Sequence, residues 1–181
     1  MKRQIRSSVF ETNSSSTHSI AISKKKPVIG KYIRFGIGEF GWENDCADTA
    51  DYLYTAILEQ DECEELLDKL KEILDKYSIE YSFEEPEYKK SLDGEYEWLA
   101  YGYVDHSYEL REFLNAILSN EDLLMRYLFS DSNVYTGNDN QDPDPSGCNI
   151  ADEEYYDWGS NKMVVNPYHD PKNYDYFYKG N

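Results

Sequence analysis

Asp61-Glu62-Cys63-Glu64-Glu65-Leu66-Leu67-Asp68-Lys69-Leu70-Lys71-Glu72-Ile73-Leu74-Asp75-Lys76-Tyr77 reads as an amphipathic helix. Leu66, Leu70, Ile73, Leu74 and Tyr77 recur at helical spacing and form one apolar stripe. The opposite face carries Glu62, Glu65, Asp68, Lys69, Glu72 and Asp75. Asp61 with Glu64 three residues on predicts a capping box. Upstream, Asp48 is placed to cap a helix that buries Leu53, Tyr54 and Ile57 and runs to Gln60. Downstream, Ile79, Tyr81 and Phe83 alternate as in a strand, and Pro86 stops it. Residues 96–103 read as a further strand, rich in aromatics. Ser107 and Asn120 are placed to cap helices ending at Leu118 and Phe129.

The N-terminal third reads as strands. In residues 17–23, His18, Ile20 and Ile22 share one face, and Thr17, Ser19, Ala21 and Ser23 the other, as in a half-buried strand. Residues 28–35 are a second candidate. The glycines of Gly36-Ile37-Gly38-Glu39-Phe40-Gly41-Trp42 predict a tight turn or bulge anchored by Phe40 and Trp42. Beyond Asp131 the periodicity dissolves. Residues 138–147 are turn-rich, Met163-Val164-Val165 suggests a short strand, and the Tyr-, Asp- and Pro-dense tail is expected to lie over the body or a partner. Irregular interleaving of strands and helices predicts one α+β domain over residues 1–181, with a mixed or antiparallel sheet and about four helices.

The chain has 181 residues and a formal charge of −18. That charge excludes a generally basic nucleic-acid binder. Charge is segregated: the segment 1–34 holds eight basic residues and one acidic one. The remainder, an acidic body over 35–136 and an irregular acidic Tyr-rich tail over 137–181, holds ten basic and thirty-five acidic residues. An acidic body repels DNA, RNA and anionic membranes and attracts basic grooves, although acidity also serves plain solubility. Met1-Lys2-Arg3-Gln4-Ile5-Arg6 is followed by no apolar stretch of signal-peptide type, and no run is long enough to span a bilayer. Cys46, Cys63 and Cys148 are odd in number and widely spaced, which indicates neither a zinc knuckle nor a disulfide framework. A cytoplasmic location is expected.

Several clusters could carry chemistry. Asn13-Ser14-Ser15-Ser16-Thr17-His18 crowds hydroxyls and an amide beside an imidazole. With Arg6 and Lys24-Lys25-Lys26 nearby it could hold an anionic ligand, with His18 as base; the same side chains could equally bond the backbone of a tight loop. Asp105-His106 and His169-Asp170 each set a carboxylate beside an imidazole, but no HxH or HxxxH spacing supports a metal. Asn138-Asp139-Asn140-Gln141-Asp142 has the oxygen density of a calcium loop without its glycine and closing glutamate, and reads as a solvated turn. No cofactor is expected. Eighteen tyrosines lie among thirty-six carboxylates, as in Glu153-Glu154-Tyr155-Tyr156-Asp157-Trp158. Tyr and Trp anchor interfaces, and carboxylates on a folded face can take the positions of phosphates in a basic groove.

The opening Val9-Phe10-Glu11-Thr12-Asn13-Ser14-Ser15-Ser16-Thr17-His18-Ser19 resembles that of a family of uncharacterised phage and prophage proteins from low-GC Gram-positive bacteria. Gly38-Glu39-Phe40-Gly41-Trp42, Asp105-His106-Ser107 and Gly137-Asn138-Asp139-Asn140 are similar to further segments of that family. The resemblance implies a viral or mobile-element context, and hence the host cytoplasm, without implying an activity.

Two functions follow. The first is an acidic, non-catalytic binding protein that occupies the nucleic-acid groove of a basic host protein, such as a defence nuclease, in the manner of an anti-CRISPR protein. Its contacts would be Glu62, Glu65, Asp68, Glu72, Asp75, Glu153, Glu154, Tyr155, Tyr156 and Trp158. The acidic body itself would bind neither DNA nor membrane. The second is a small enzyme or binding protein for a phosphorylated ligand or nucleotide. There His18, Asp105 and His106 would be catalytic, and Arg6, Asn13, Ser14, Ser15, Ser16 and Thr17 would bind ligand, with Glu39 and Asn138 or Asp139 close by.

Overall fold

A computed structural model describes residues 16–41, 45–94, 97–138 and 153–179. Four α-helices and a set of small sheets among these residues give an α+β arrangement, as the sequence predicts. At its centre stands β1 (Ser16–Ser23), flanked by β9 (Asn133–Asn138) and by β12 (Tyr174–Lys179), with β4 (Asp45–Ala47) outside β9. All three pairings are antiparallel, and Ile20 stands opposite both Val134 and Phe177.

The sequence predicts a half-buried β1, but all eight of its residues are buried. On one side Ile20 and Ile22 join the main core with Tyr52, Leu53 and Ile57 of α1 (Thr49–Leu58) and with Leu124 and Tyr127 of α4 (Glu121–Phe129). On the other side Ala21 and Tyr135 form a smaller core roofed by Tyr168, Tyr174 and Tyr176. The tail that reads as irregular is therefore structural. Its tyrosines cover the second face of β1, and the small side chains of Ser19 and Ala21 let that roof lie close. Residues 153–179 hold a hairpin of β10 (Glu154–Asp157) and β11 (Lys162–Val165), a 3-10 turn at Pro167–His169, and β12.

The helices follow their sequence signals at most ends. Asp48 accepts hydrogen bonds from the amides of Ala50 and Asp51, and Asn120 accepts one from Leu123. The helix α2 (Cys63–Lys76) buries Leu66, Leu70, Ile73 and Leu74, each worth roughly 1.5–3 kcal/mol of burial. Its capping box does not form: Glu62 occupies the cap position without a side-chain cap bond and turns to Arg111 instead. Ser107 is not a cap either. It is the buried first residue of a 3-10 turn, Ser107–Leu110, that leads into α3 (Arg111–Leu118).

Short strands tie the remaining loops to this core. Parallel pairs join β2 (Tyr32–Phe35) to β5 (Glu80–Phe83) and β3 (Glu39–Phe40) to β8 (Tyr103–Val104). An antiparallel pair joins β6 (Tyr88–Lys90) to β7 (Glu97–Leu99). The single strand expected over 96–103 is thus two, β7 and β8. Gly102 interrupts them at φ +76, where a side chain would collide with Ile37.

A polar clamp holds the end of the sheet to α4. The Arg126 guanidinium donates to the Ser23 carbonyl at 3.0 Å, to Asp175 at 3.0 Å and to Asp122 at 2.8 Å. Lys24 lies 3.0 Å from the same Asp175. Truncating Arg126 to Ala leaves the Ser23 carbonyl and Asp175 short of partners, so urea denaturation should show a loss of about 1–3 kcal/mol. Burial pushes the Asp175 carboxyl up, but the hydrogen bonds and charges of Lys24 and Arg126 outweigh it and hold the group below its ordinary 3.8. A carboxyl depressed in the folded protein stabilises it above the unfolded value and ceases to do so as pH falls through the depressed one. The melting temperature should therefore fall more steeply below pH 3.8 in the wild type than in Asp175→Asn, measured by circular dichroism.

Candidate functional site

His18 lies fully buried near the start of β1. Its Nδ1 is 3.0 Å from the hydroxyl of Tyr52, a residue of α1 that is itself fully buried. Burial, and then the charge of Glu59, push the Tyr52 phenol well above its ordinary value, so it keeps its proton. Where Tyr52 donates to Nδ1, the imidazole proton sits on Nε2. The other edge of the ring faces Gly41, at φ +120. A Cβ built there would lie 3.1 Å from His18 Nε2 and 2.6 Å from the Asp105 Cβ. The backbone at Gly41 thus fills the space between His18 and Asp105.

Asp105 extends the β3–β8 pairing, its amide donating to the Phe40 carbonyl at 2.8 Å. Glu39 stands opposite Tyr103 in the same pair. His106 follows in the left-handed region at φ 54, with Asp105 3.8 Å from its Nε2 and Glu109 3.6 Å from its Nδ1. The fold therefore brings His18 towards the adjacent pair Asp105 and His106, which lies far from it in sequence. Tyr52 and Glu109 join them, and sequence reading did not single these two out. Only the helical register of Tyr52, four residues after the capping Asp48, hinted that it faces β1.

Of the residues expected to bind ligand, Ser16 and Thr17 fall within the described residues. Ser16 and Thr17 are buried strand residues paired with Asn138 and Gly137, while Arg6, Asn13, Ser14, Ser15 and Asp139 lie outside the described residues, as does Trp42. The lysines expected to frame an anion stand at the far end of β1, roughly 20 Å along the strand from His18. There Lys24 pairs with Asp175 and Lys25 with Asp131. Acidic groups, Asp105, Glu109 and Glu112, lie around His18 instead. His169 packs on Tyr176, with ring centroids 4.2 Å apart. Among the described residues no three His, Cys, Asp or Glu side chains are placed to hold a metal ion, and no helix is long and apolar enough to cross a membrane. Cys63 is buried and Cys46 half-buried beside Asn133.

The residues expected to contact a partner fall on two elements. On α2, Glu62, Glu65, Asp68, Glu72 and Asp75 are all exposed, but Glu62 pairs with Arg111, Glu65 with Lys69 and Asp68 with Lys71. That helix presents a mixed surface. The second element differs. From Tyr127 to Asn161 the chain has eight carboxylates and no lysine or arginine. The β10–β11 hairpin overlaps the end of this stretch, and Lys162 opens β11 opposite Asp157. Tyr156 stands opposite Met163, and Glu154 opposite Val165. Tyr156, Met163 and Val165 therefore share one face with Glu154, and Trp158 packs edge-on against Tyr156 at 4.8 Å. Trp158 is 82% exposed, Val165 66%, Met163 57% and Tyr156 40%. Glu153 and Tyr155 are exposed as well. Met163 and Val165 lie in the short strand that the sequence suggests, but the sequence reading does not single them out as contacts, although positions 163 and 165 share a face of a strand.

The turn of this hairpin is fixed by Asp157, which accepts hydrogen bonds from the amides of Gly159 and Ser160 at 3.0 and 3.1 Å. A hydrogen bond from the Ser160 side chain, and then those from the two amides, hold its carboxyl below the ordinary value. No family model, curated protein or solved structure matches the chain.

Gly41 is the test of the His18 cluster. Gly41→Ala forces a Cβ into Asp105 at an unfavourable φ, so thermal unfolding should show a loss of about 2–3 kcal/mol or a failure to fold. Gly94→Ala, where no heavy atom lies within 4 Å of the new Cβ, meets only the backbone cost of about 1 kcal/mol.

Proposed function

We propose that this chain is an acidic, non-catalytic binding protein whose contact element is the β10–β11 hairpin. The observation that carries the reading is the hairpin's open face, where Tyr156, Trp158, Met163 and Val165 stand exposed at and just beyond the end of a stretch, Tyr127 to Asn161, that has carboxylates and no lysine or arginine. Large exposed side chains of this kind act as anchors when a partner desolvates them. Their acidic setting selects a basic partner and steers its approach. A groove built for nucleic acid supplies both requirements, since it carries lysine and arginine for phosphates and flat surfaces for bases. With the phage and prophage resemblance, the partner is a nucleic-acid-binding host protein, such as a defence nuclease, met in the host cytoplasm and inhibited by occupation of its groove. The paired surface of α2 has a secondary place in this reading.

A second reading, a small catalytic or ligand-binding centre, draws on the meeting of His18 and Asp105 at Gly41. The glutamates near His18 disfavour a phosphorylated ligand there.

The test uses the partner recovered from host cells by cross-linking and then purified. Surface plasmon resonance should show affinity falling steeply as salt rises, with a nucleic-acid duplex competing for the same surface. Trp158→Ala should weaken binding about thirtyfold, the effect of losing an anchor worth about 2 kcal/mol. Binding that ignores salt, or a Trp158→Ala variant that binds like wild type, would overturn the proposal.

A further inference from the structure

Gln60 follows α1 and is 2% exposed. Its side-chain nitrogen donates to the Ala56 carbonyl at 3.1 Å and to the Ser107 carbonyl at 3.0 Å. Those two bonds use both protons of the amide, so its orientation is fixed and Oε1 is left over. Among the described residues nothing donates to that oxygen. Gln60 lines a cavity of about 260 Å³ between α2 and α3, and Oε1, which is not sealed within the core, faces it. The buried Leu66 and Leu114 supply its apolar lining, and Asn115 follows Leu114. Two ion pairs, Glu62 with Arg111 and Glu65 with Lys69, edge the mouth.

A buried acceptor without a donor is costly, and the cavity leaves room for a donor to arrive. An apolar group would leave the oxygen dehydrated. An anion would bring acceptors only. An ammonium would bring three donors and a full charge to one acceptor beside two leucines, while Arg111 and Lys69 already answer the carboxylates at the mouth. The occupant is therefore neutral and donates an N–H or O–H. Asn115 decides between them. Its side chain is exposed, makes no hydrogen bond among the described residues, and lies one turn beyond Arg111 on α3. Its nitrogen can donate to a carbonyl while Gln60 accepts, and a primary amide is the neutral group that carries both halves in one plane. The volume is below the roughly 300–1,000 Å³ of a site for a whole drug-sized molecule, so one such group and its stem suit it.

We propose that this cavity is a binding site for a primary carboxamide, whose N–H donates to Gln60 Oε1 and whose carbonyl accepts from Asn115. The group can arrive on a free small molecule, such as glutamine, or as a glutamine side chain of a protein. The site is separate from the β10–β11 hairpin, and the inference does not rest on the function proposed for that element.

The full chain, isotope-labelled, is titrated with propanamide, with N,N-dimethylpropanamide, which has no donor, and with propanoate. Nuclear magnetic resonance reads the side-chain amide of Gln60 and the backbone amide of Leu114. Saturable shifts at both are expected with propanamide, and none with the dimethyl amide or the acid. Free glutamine is then compared with Nα-acetyl-glutamine N-methylamide, whose only primary amide is its side chain. Tighter binding of the capped form assigns the site to a protein side chain, and equal or tighter binding of the free form assigns it to the small molecule. Asn115→Ala should weaken propanamide about fivefold, the effect of one neutral hydrogen bond. Gln60→Leu should abolish its binding. If Gln60→Leu fails to fold, Asn115→Ala, at an exposed position, keeps the test. An equal response to the dimethyl amide, full binding by either folded variant, or no saturable shift with any primary amide, which leaves the cavity to water alone, would overturn the assignment.

Discussion

The structure depends on covering β1 from every side. The strand is paired along both edges and buried on both faces, so its backbone is satisfied by β9 and β12 while two separate cores close over its side chains. Burying Ser16, Thr17, His18 and Ser19 in this position has a desolvation cost that only hydrogen bonding can offset. The main-chain ladder satisfies their backbone. For the side chains, Tyr52 reaches His18, and Tyr176 donates to the Ser19 hydroxyl at 3.2 Å. The other elements can be read as responses to this requirement. The helices α1 and α4 close one face, and the tyrosines of the tail close the other.

Where apolar periodicity was unambiguous, the sequence was easy to read. The stripe of α2, the caps Asp48 and Asn120 and the strand around Tyr81 and Phe83 all carry local signals that tertiary contacts reinforce. The misreadings have separate causes. The second face of β1 is made of Thr17, Ser19, Ala21 and Ser23, whose smallness looks like exposure but serves close packing under tyrosine. The tail's own pattern is obscured because aromatics stand at consecutive positions from Tyr176 to Tyr178, so no period of two is visible. The division of residues 96–103 was written in Gly102, whose neighbour Ile37 lies sixty-five positions away and could not be foreseen. At the candidate site, sequence supplied His18, Asp105 and His106, but not the wedge at Gly41 that relates the first two.

Charge was legible in amount and not in arrangement. Thirty-six carboxylates on a chain of this length guarantee an anionic molecule, yet they do not say which surface is anionic. On α2 the intervening lysines and Arg111 fold back on their acidic neighbours, and such surface pairs add little stability while they flatten the local field. The sequence from Tyr127 to Asn161 contains no lysine or arginine, while Lys162 stands opposite Asp157 within the hairpin and Lys25 pairs with Asp131. Within residues 153–165 three carboxylates and one lysine accompany the exposed aromatic side chains.

The pairing of β1 with β12 joins His18 to Lys179. Contacts of such sequence separation are slow to form, because the loop between them must close before the pairing repays it. During translation the strand that organises the molecule waits for a neighbour made more than 150 residues later. Through that interval an apolar edge containing Ile20 and Ile22 is open to other nascent chains. Like charge on the intervening chain makes incomplete copies repel one another before β12 is made.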